Sequence, residues 1–152
     1  MNRFLVSSRI FRQILPVKCP AQANHIRPFA SGRPPKPPVA DAETIFDKII
    51  RKQIPADIIY EDDKCLAFND VLPQGPVHFL VIPKQRIPKL EDGTVKDVET
   101  FGHLMQIAGQ LGKQKAPNGF RLVINNGDHG CQTVHHLHLH IIGGRQLSWP
   151  PG

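Results

Sequence analysis

Residues 135 to 144 read HHLHLHIIGG, and four of the chain's eight histidines fall within the first six of those positions. Imidazole and aliphatic side chains alternate from His136 to Ile141. A period of two belongs to a β-strand, whose successive side chains point to opposite faces. His136, His138 and His140 therefore share one face, and Leu137, Leu139 and Ile141 share the other. The aliphatic face needs a core to pack against. The imidazoles are left on a surface open to a ligand, because three partly desolvated imidazoles are costly unless their polar atoms find partners.

The body of the chain supplies the rest of such a sheet. From Asp41, DAETIFDKIIRKQIP puts Ile45, Phe46, Ile49 and Ile50 at helical spacing, with Asp41 or Thr44 as cap and Pro55 as the stop. Strand-forming runs follow at DIIYE and CLAFND, separated by an Asp-Asp-Lys turn, and at VHFLVIP beyond the breaker LPQGP. The stretch VKDVETFGHLMQIAGQLGKQKA predicts a long amphipathic helix despite its interior glycines. FRLVIN and TVHHLHLHII add two strands, and the tail RQLSWPPG is expected to be irregular. About five strands and two helices, without the regular alternation of a doubly wound sheet, give an α+β class with an antiparallel sheet. At 152 residues one domain is expected, over residues 41–152.

The net charge of +6 is unevenly spread. Residues 1–40 hold seven Lys or Arg and no acid, which leaves twelve basic against thirteen acidic residues in the body. A general nucleic-acid-binding surface is therefore not indicated. The basic, Ser- and Pro-containing opening puts Phe4, Phe11, Ile14 and Leu15 on one helical side and Arg9 and Arg12 on another, the pattern of a mitochondrial transit peptide, and SGRPPKPP reads as an extended linker. A matrix location is the expectation. No apolar run is long enough to span a bilayer. Cys19, Cys65 and Cys131 are odd in number and lack CxxC spacing, so neither a disulfide framework nor a Cys-rich zinc site is expected.

Two chemistries suit the imidazole face. A metal is limited by geometry: at roughly 3.3 Å per residue the Cα atoms of His136 and His140 stand about 13 Å apart, too far to share one zinc, although two adjacent members with His78 could do so. No Glu or Cys lies nearby in ligand spacing, and neither a metal nor another cofactor is expected. The alternative is phosphoryl chemistry, with the central His138 as nucleophile and His140 and His78 as donors to the phosphate.

HLHLHII resembles the His-φ-His-φ-His-φ-φ motif (φ apolar) of the histidine-triad superfamily, and GGRQLSWPPG resembles the C-terminus of its nucleotide-binding (HINT) branch. The likeness extends through TIFDKIIRKQIPADIIYEDDKCLAFNDVLPQGPVHFLVIPK, GHLM and RLVINNGDHGCQTV, so it covers residues 44–152, and the leader makes a mitochondrial member of that branch the nearest analogue. The resemblance implies a HIT-like fold whose five-stranded sheet continues across a homodimer. It also implies hydrolysis of purine nucleoside phosphoramidates and aminoacyl adenylates. Carried over by position, His138 is the nucleophile, His140 contacts the phosphate, His136 orients the nucleophile and His78 completes the array. Asn125 matches a phosphate-site asparagine and Asp70 the carboxylate that holds the ribose. Phe46, Ile54, Phe68 and Val71 match the base slot, and Trp149 lies in a tail implied to reach the partner's site.

This sequence departs from the family at Thr133, where a serine is usual, and at His135, where a tyrosine is common. Threonine keeps the hydroxyl that reaches the leaving group but stiffens χ1. Cys131 adjoins the site with no base placed beside it. Two other functions compete with the phosphoramidase reading: a dinucleoside polyphosphate hydrolase, which the WPPG ending disfavours, and a non-catalytic nucleotide-binding scaffold.

Overall fold

The computed structural model describes residues 43–151, and the basic leader and proline-rich linker expected over residues 1–40 lie outside the described residues. Thr44 begins helix α1 (Ile45–Ile50) with a capping box, in which its hydroxyl accepts from the Asp47 amide at 3.2 Å and Asp47 Oδ2 accepts from the Thr44 amide at 2.7 Å. The helix ends well before Pro55. Lys52 takes a φ of 59°, its amide bonds to the Ile49 carbonyl, and the Gln53 amide bonds to the Lys48 carbonyl. This left-handed C-terminal cap stops α1 without help from the proline.

Strands β1 (Ile58–Glu61), β2 (Cys65–Asn69), β3 (Val77–Pro83), β4 (Phe120–Ile124) and β5 (Leu139–Gly143) form one antiparallel sheet in the order β1-β2-β3-β5-β4. The last strand in sequence thus lies between β3 and β4. The long helix α2 (Val98–Lys115) follows β3 after two 3-10 turns, and α1 is much the shorter of the two helices. No described helix is long and apolar enough to cross a membrane.

The sheet divides the core in two. On one side Phe79, Val81, Leu137, Leu139 and Ile141 pack with Leu104, Ile107, Ala108 and Leu111 of α2. On the other, Leu66, Phe68, Leu80 and Ile82 pack with Phe46 and Ile49 of α1. Gly112 has a packing role on α2: a Cβ there would stand 2.6 to 2.8 Å from atoms of the Phe120 ring. Glycine's cost of about 1 kcal/mol in a helix is accepted for that close approach.

The Asp62 carboxylate organises the β1–β2 turn and ties it to α2. It accepts from the amides of Lys64 at 2.8 Å and Cys65 at 2.7 Å, from the Tyr60 hydroxyl at 2.9 Å, and pairs with His103 Nε2 at 2.6 Å. Burial pushes its pKa up, but these donors outweigh burial and hold it well below the usual carboxylate range.

The strand expected from Thr133 onward is shorter than its alternating pattern. Ladder pairing starts only at Leu139. Upstream, the His136 amide bonds to the Val134 carbonyl at 2.9 Å and the Leu137 amide to the Ile87 carbonyl at 2.6 Å, so this segment folds against the chain that leaves β3. The alternation nevertheless persists, with Leu137 in the α2-side core and His136 against Phe46 of α1.

Candidate active site

Strand register brings the histidines together. Leu80 of β3 pairs with His140 of β5, and His78 pairs with Ile142, so His78 and His140 are diagonal neighbours on the α1 side of the sheet. Asp70, one step past β2, donates its amide to the His78 carbonyl at 3.0 Å and lies on the same face. Val123 of β4 pairs with His140, and Asn125, two residues further on, begins the loop to β5. Phe46 covers this face from α1. Its ring meets those of Phe68, His136 and His138 edge-on, at centroid distances of 5.7, 5.9 and 5.3 Å.

Each imidazole is held by named atoms. His138 is buried, and its Nδ1 lies 2.7 Å from the His136 carbonyl. A carbonyl only accepts, so Nδ1 carries the proton and the lone pair of a neutral His138 is on Nε2. The His136 ring is fully buried and donates from Nε2 to the Pro83 carbonyl at 2.8 Å, while its Nδ1 has no hydrogen-bond partner and stands 3.6 Å from Asp47 Oδ1. His78 Nδ1 accepts from the Gln74 amide at 3.1 Å, and His78 Nε2 lies 2.9 Å from His140 Nδ1. The His138 and His140 rings are 5.0 Å apart.

Burial lowers the pKa of all four histidines. His140 falls to about 4, first by burial and then by repulsion from His138 and His78, which outweighs the Asp70 carboxylate. The array is therefore neutral at physiological pH, as a nucleophilic imidazole requires. Burial raises the Asp47 pKa, but the hydrogen bonds from Thr44, with Arg86 nearby, hold it below the usual carboxylate range. The carboxylate that caps α1 is thus ionised beside the His136 ring.

The other expected site residues are placed less tightly. Phe68 is buried, and Ile54 packs at the margin of the α1-side core. Val71 is 89 % exposed and Trp149 is 85 % exposed. Thr133 is exposed on the β4–β5 loop, as are His135 and Cys131, and Cys131 takes a φ of 59°. Asn125 Nδ2 donates to the Cys131 carbonyl at 3.5 Å, which spans the mouth of that loop.

Sequence reasoning missed three contributors. Gln74 acts through its main-chain amide, which no side-chain pattern reveals. Asp47 was legible only as part of α1. Gln132 is buried and pins the β4–β5 loop: its Oε1 accepts from the Gly127 amide at 3.0 Å, and its Nε2 donates to the carbonyls of Pro88 at 2.7 Å and Val134 at 3.0 Å. A polar residue between Cys131 and Thr133 in a turn-rich loop carries no signal for burial.

Among the described residues two side-chain groups have donor atoms close enough to share a metal ion: Asp70, His78 and His140, and Asp62, Cys65 and His103. A metal on the first would have to replace the hydrogen bond between His78 and His140. In the second, burial beside Asp62 pushes the Cys65 thiol up to about 12, and the Asp62 oxygens already accept from four donors.

Comparison with known proteins agrees with this architecture. The HIT domain family matches residues 51–147. Adenylylsulfatase HINT1 of Arabidopsis thaliana is 51 % identical over 116 residues, covering 74 % of this chain and 79 % of its own. An uncharacterized HIT-like protein of Synechococcus elongatus is 56 % identical over 111 residues, 72 % of this chain and 97 % of its own. The crystal structure of a HIT family hydrolase from Legionella pneumophila superposes with a TM-score of 0.70 at 41 % identity, covering 72 % of this chain and all of that one. A five-stranded antiparallel sheet whose last strand and the segment leading into it carry three alternating histidines, together with these likenesses, makes the chain a member of the HIT family.

Proposed function

We propose that the chain is a purine nucleoside phosphoramidase, which hydrolyses adenosine and guanosine 5′-phosphoramidates and aminoacyl adenylates to the nucleoside monophosphate. The observation that carries this reading is the 2.7 Å bond from His138 Nδ1 to the His136 carbonyl, which leaves a neutral nucleophilic nitrogen on the catalytic face. In the first step the Nε2 lone pair attacks phosphorus, the P–N bond breaks, and the amine departs with a proton taken up from solvent. Positive charge on the His138 ring is shared with the His136 carbonyl. In the second step water attacks phosphorus of the nucleotidyl-histidine, the P–Nε2 bond breaks, the monophosphate leaves, and one proton of the water returns to solvent as His138 is left neutral. His140 and Asn125 receive the phosphoryl oxygens, and Thr133 offers its hydroxyl to the leaving group. Asp70 holds the ribose, and Phe46, Ile54, Phe68 and Val71 take the base. Neither step needs a metal.

The activity named for the Arabidopsis relative suits the same intermediate, with one difference. Sulfate leaves as an anion and needs no proton, whereas an amine does. The half-buried edge strand β4 is where a second sheet would pair to complete the homodimer, bringing the partner's tail and Trp149 over the site. We place the enzyme in the mitochondrial matrix, on the basic, acid-free leader.

The test is a panel of purine phosphoramidates, aminoacyl adenylates, adenylyl sulfate and diadenosine polyphosphates, assayed in EDTA with wild type and His138→Ala. Phosphoramidates should turn over fastest, and His138→Ala should lose several orders of magnitude in kcat while still binding nucleotide. An acid quench should trap labelled nucleotide on the peptide that contains His138. Label on Cys131, or a His138→Ala variant with most of its kcat, refutes the assignment. Nucleotide binding without turnover by wild type would favour the scaffold reading instead.

A further inference from the structure

The hydrogen bonds on the catalytic face have a direction, and it is set outside the histidines. The Gln74 amide lies 3.1 Å from His78 Nδ1, and an amide N–H can only donate. His78 Nδ1 is therefore an acceptor, and the neutral ring carries its proton on Nε2. That proton faces His140 Nδ1 across 2.9 Å. His140 Nδ1 becomes an acceptor in its turn, and the His140 proton is placed on Nε2. We infer that the main-chain amide of Gln74 is a positioning group that fixes the tautomers of His78 and His140 and so presents His140 as an Nε2–H donor.

The opposite tautomers are disfavoured at both ends of this chain. A proton on His78 Nδ1 would face the Gln74 N–H at 3.1 Å, hydrogen against hydrogen. His78 Nε2 would then be an acceptor, His140 would have to donate from Nδ1, and its Nε2 lone pair would be left to meet an anionic phosphate. His138 shows the contrasting arrangement, with its proton on Nδ1 through the His136 carbonyl. Two neighbouring rings, 5.0 Å apart, thus offer opposite Nε2 atoms, one a lone pair and one a donor. The division of roles between nucleophile and phosphate donor comes from two main-chain groups, an amide and a carbonyl.

The loop that carries the Gln74 amide is well placed to hold it still. In the segment LPQGP both Pro73 and Pro76 lack an N–H, and the Leu72 amide is already bonded to Asp70 Oδ1 at 2.8 Å. The Gln74 side chain donates to the Leu72 carbonyl at 2.9 Å, and its own carbonyl accepts from Arg145 at 3.3 Å. The residue is therefore fixed through side chain, amide and carbonyl together.

The role of His140 as a phosphate donor rests on the phosphoryl reading above, but the tautomers can be measured without substrate. In protein labelled with 15N-histidine, long-range proton–nitrogen correlation near neutral pH should show Nε2 protonated and Nδ1 bare in His78 and His140, and the reverse in His138. Gln74→Pro removes the N–H, and Gln74→Ala keeps it while deleting the side chain. The proline variant should show a second tautomer in His78 and His140 and lose about tenfold or more in kcat for a phosphoramidate, whereas the alanine variant should keep the wild-type tautomers. A wild-type spectrum with Nδ1 protonated in His78 or His140 overturns the inference, and so does a folded proline variant with wild-type tautomers. If the proline variant does not fold, the wild-type spectrum decides. If no phosphoramidate is hydrolysed, the proposed function fails while the spectrum still tests the lock.

Discussion

His140 offers a quantitative check on the neutral imidazole array. Its side chain is 18 % exposed, and burial with its two histidine neighbours lowers its pKa from 6.5 to about 4. In the unfolded chain the same ring titrates near 6.5. Between those values the unfolded state binds more protons than the native one, so stability falls as the solution is acidified. The slope reaches about 1.4 kcal/mol per pH unit, and the accumulated loss is about 3 kcal/mol by about pH 4, below which both states are protonated and the slope vanishes. His140→Gln removes this contribution while keeping a side chain that can accept from His78. Urea unfolding of both proteins at a series of pH values should give a wild-type-minus-variant difference that shifts by about 3 kcal/mol from neutral pH to about pH 4, wild type losing the more. The lowered His78, His136 and His138 titrate in both proteins and largely cancel. A difference that stays flat over the interval means that His140 titrates normally in the fold, and the neutral array is wrong.

Other expectations are simpler to check. Thr133→Ser should leave kcat within about tenfold, or 1.4 kcal/mol, in a phosphoramidate assay, and a larger change would show that the threonine methyl shapes the site. Gly112→Ala should destabilise the protein by about 1 to 2 kcal/mol, because overpacking against Phe120 exceeds the helix-propensity gain, whereas Gly109→Ala, whose Cβ meets nothing within 4 Å, should stabilise by up to about 1 kcal/mol; thermal melts that move both variants the same way would contradict this. Residues 1–40 fused to a fluorescent reporter should direct it to mitochondria, and a diffuse cytosolic signal would remove the basis for matrix placement.

The sheet was legible because strand chemistry repeats every two residues and turns are marked by Gly, Pro and Asp. Each strand-forming run became a strand, with ends shifted by a residue or so outside the histidine segment. That segment was overread, since alternation reports which side a residue faces and not whether its amide is in a ladder; His136 and Leu137 alternate correctly while bonding to Val134 and Ile87. The end of α1 was misplaced for a different reason. Pro55 is a visible stop, but Lys52, a residue without special φ preference, adopts the left-handed turn first. At the site, side chains that face the ligand could be read from spacing, and the atoms that orient them could not. The His136 and Pro83 carbonyls and the Gln74 amide are present in every residue type or nearly so, and only the fold decides which of them meets an imidazole.

The insertion of β5 between β3 and β4 has a consequence for synthesis. Of the five strands, β5 leaves the ribosome last, yet it holds His140 and completes the ladders on both of its sides. Until it arrives, the edges of β3 and β4 that pair with β5 in the finished sheet have no ladder partner. His78 meanwhile has no His140 to bond. The chain therefore keeps unpaired strand edges until its last strand is made, and the contact between His78 and His140 comes only with closure of the sheet.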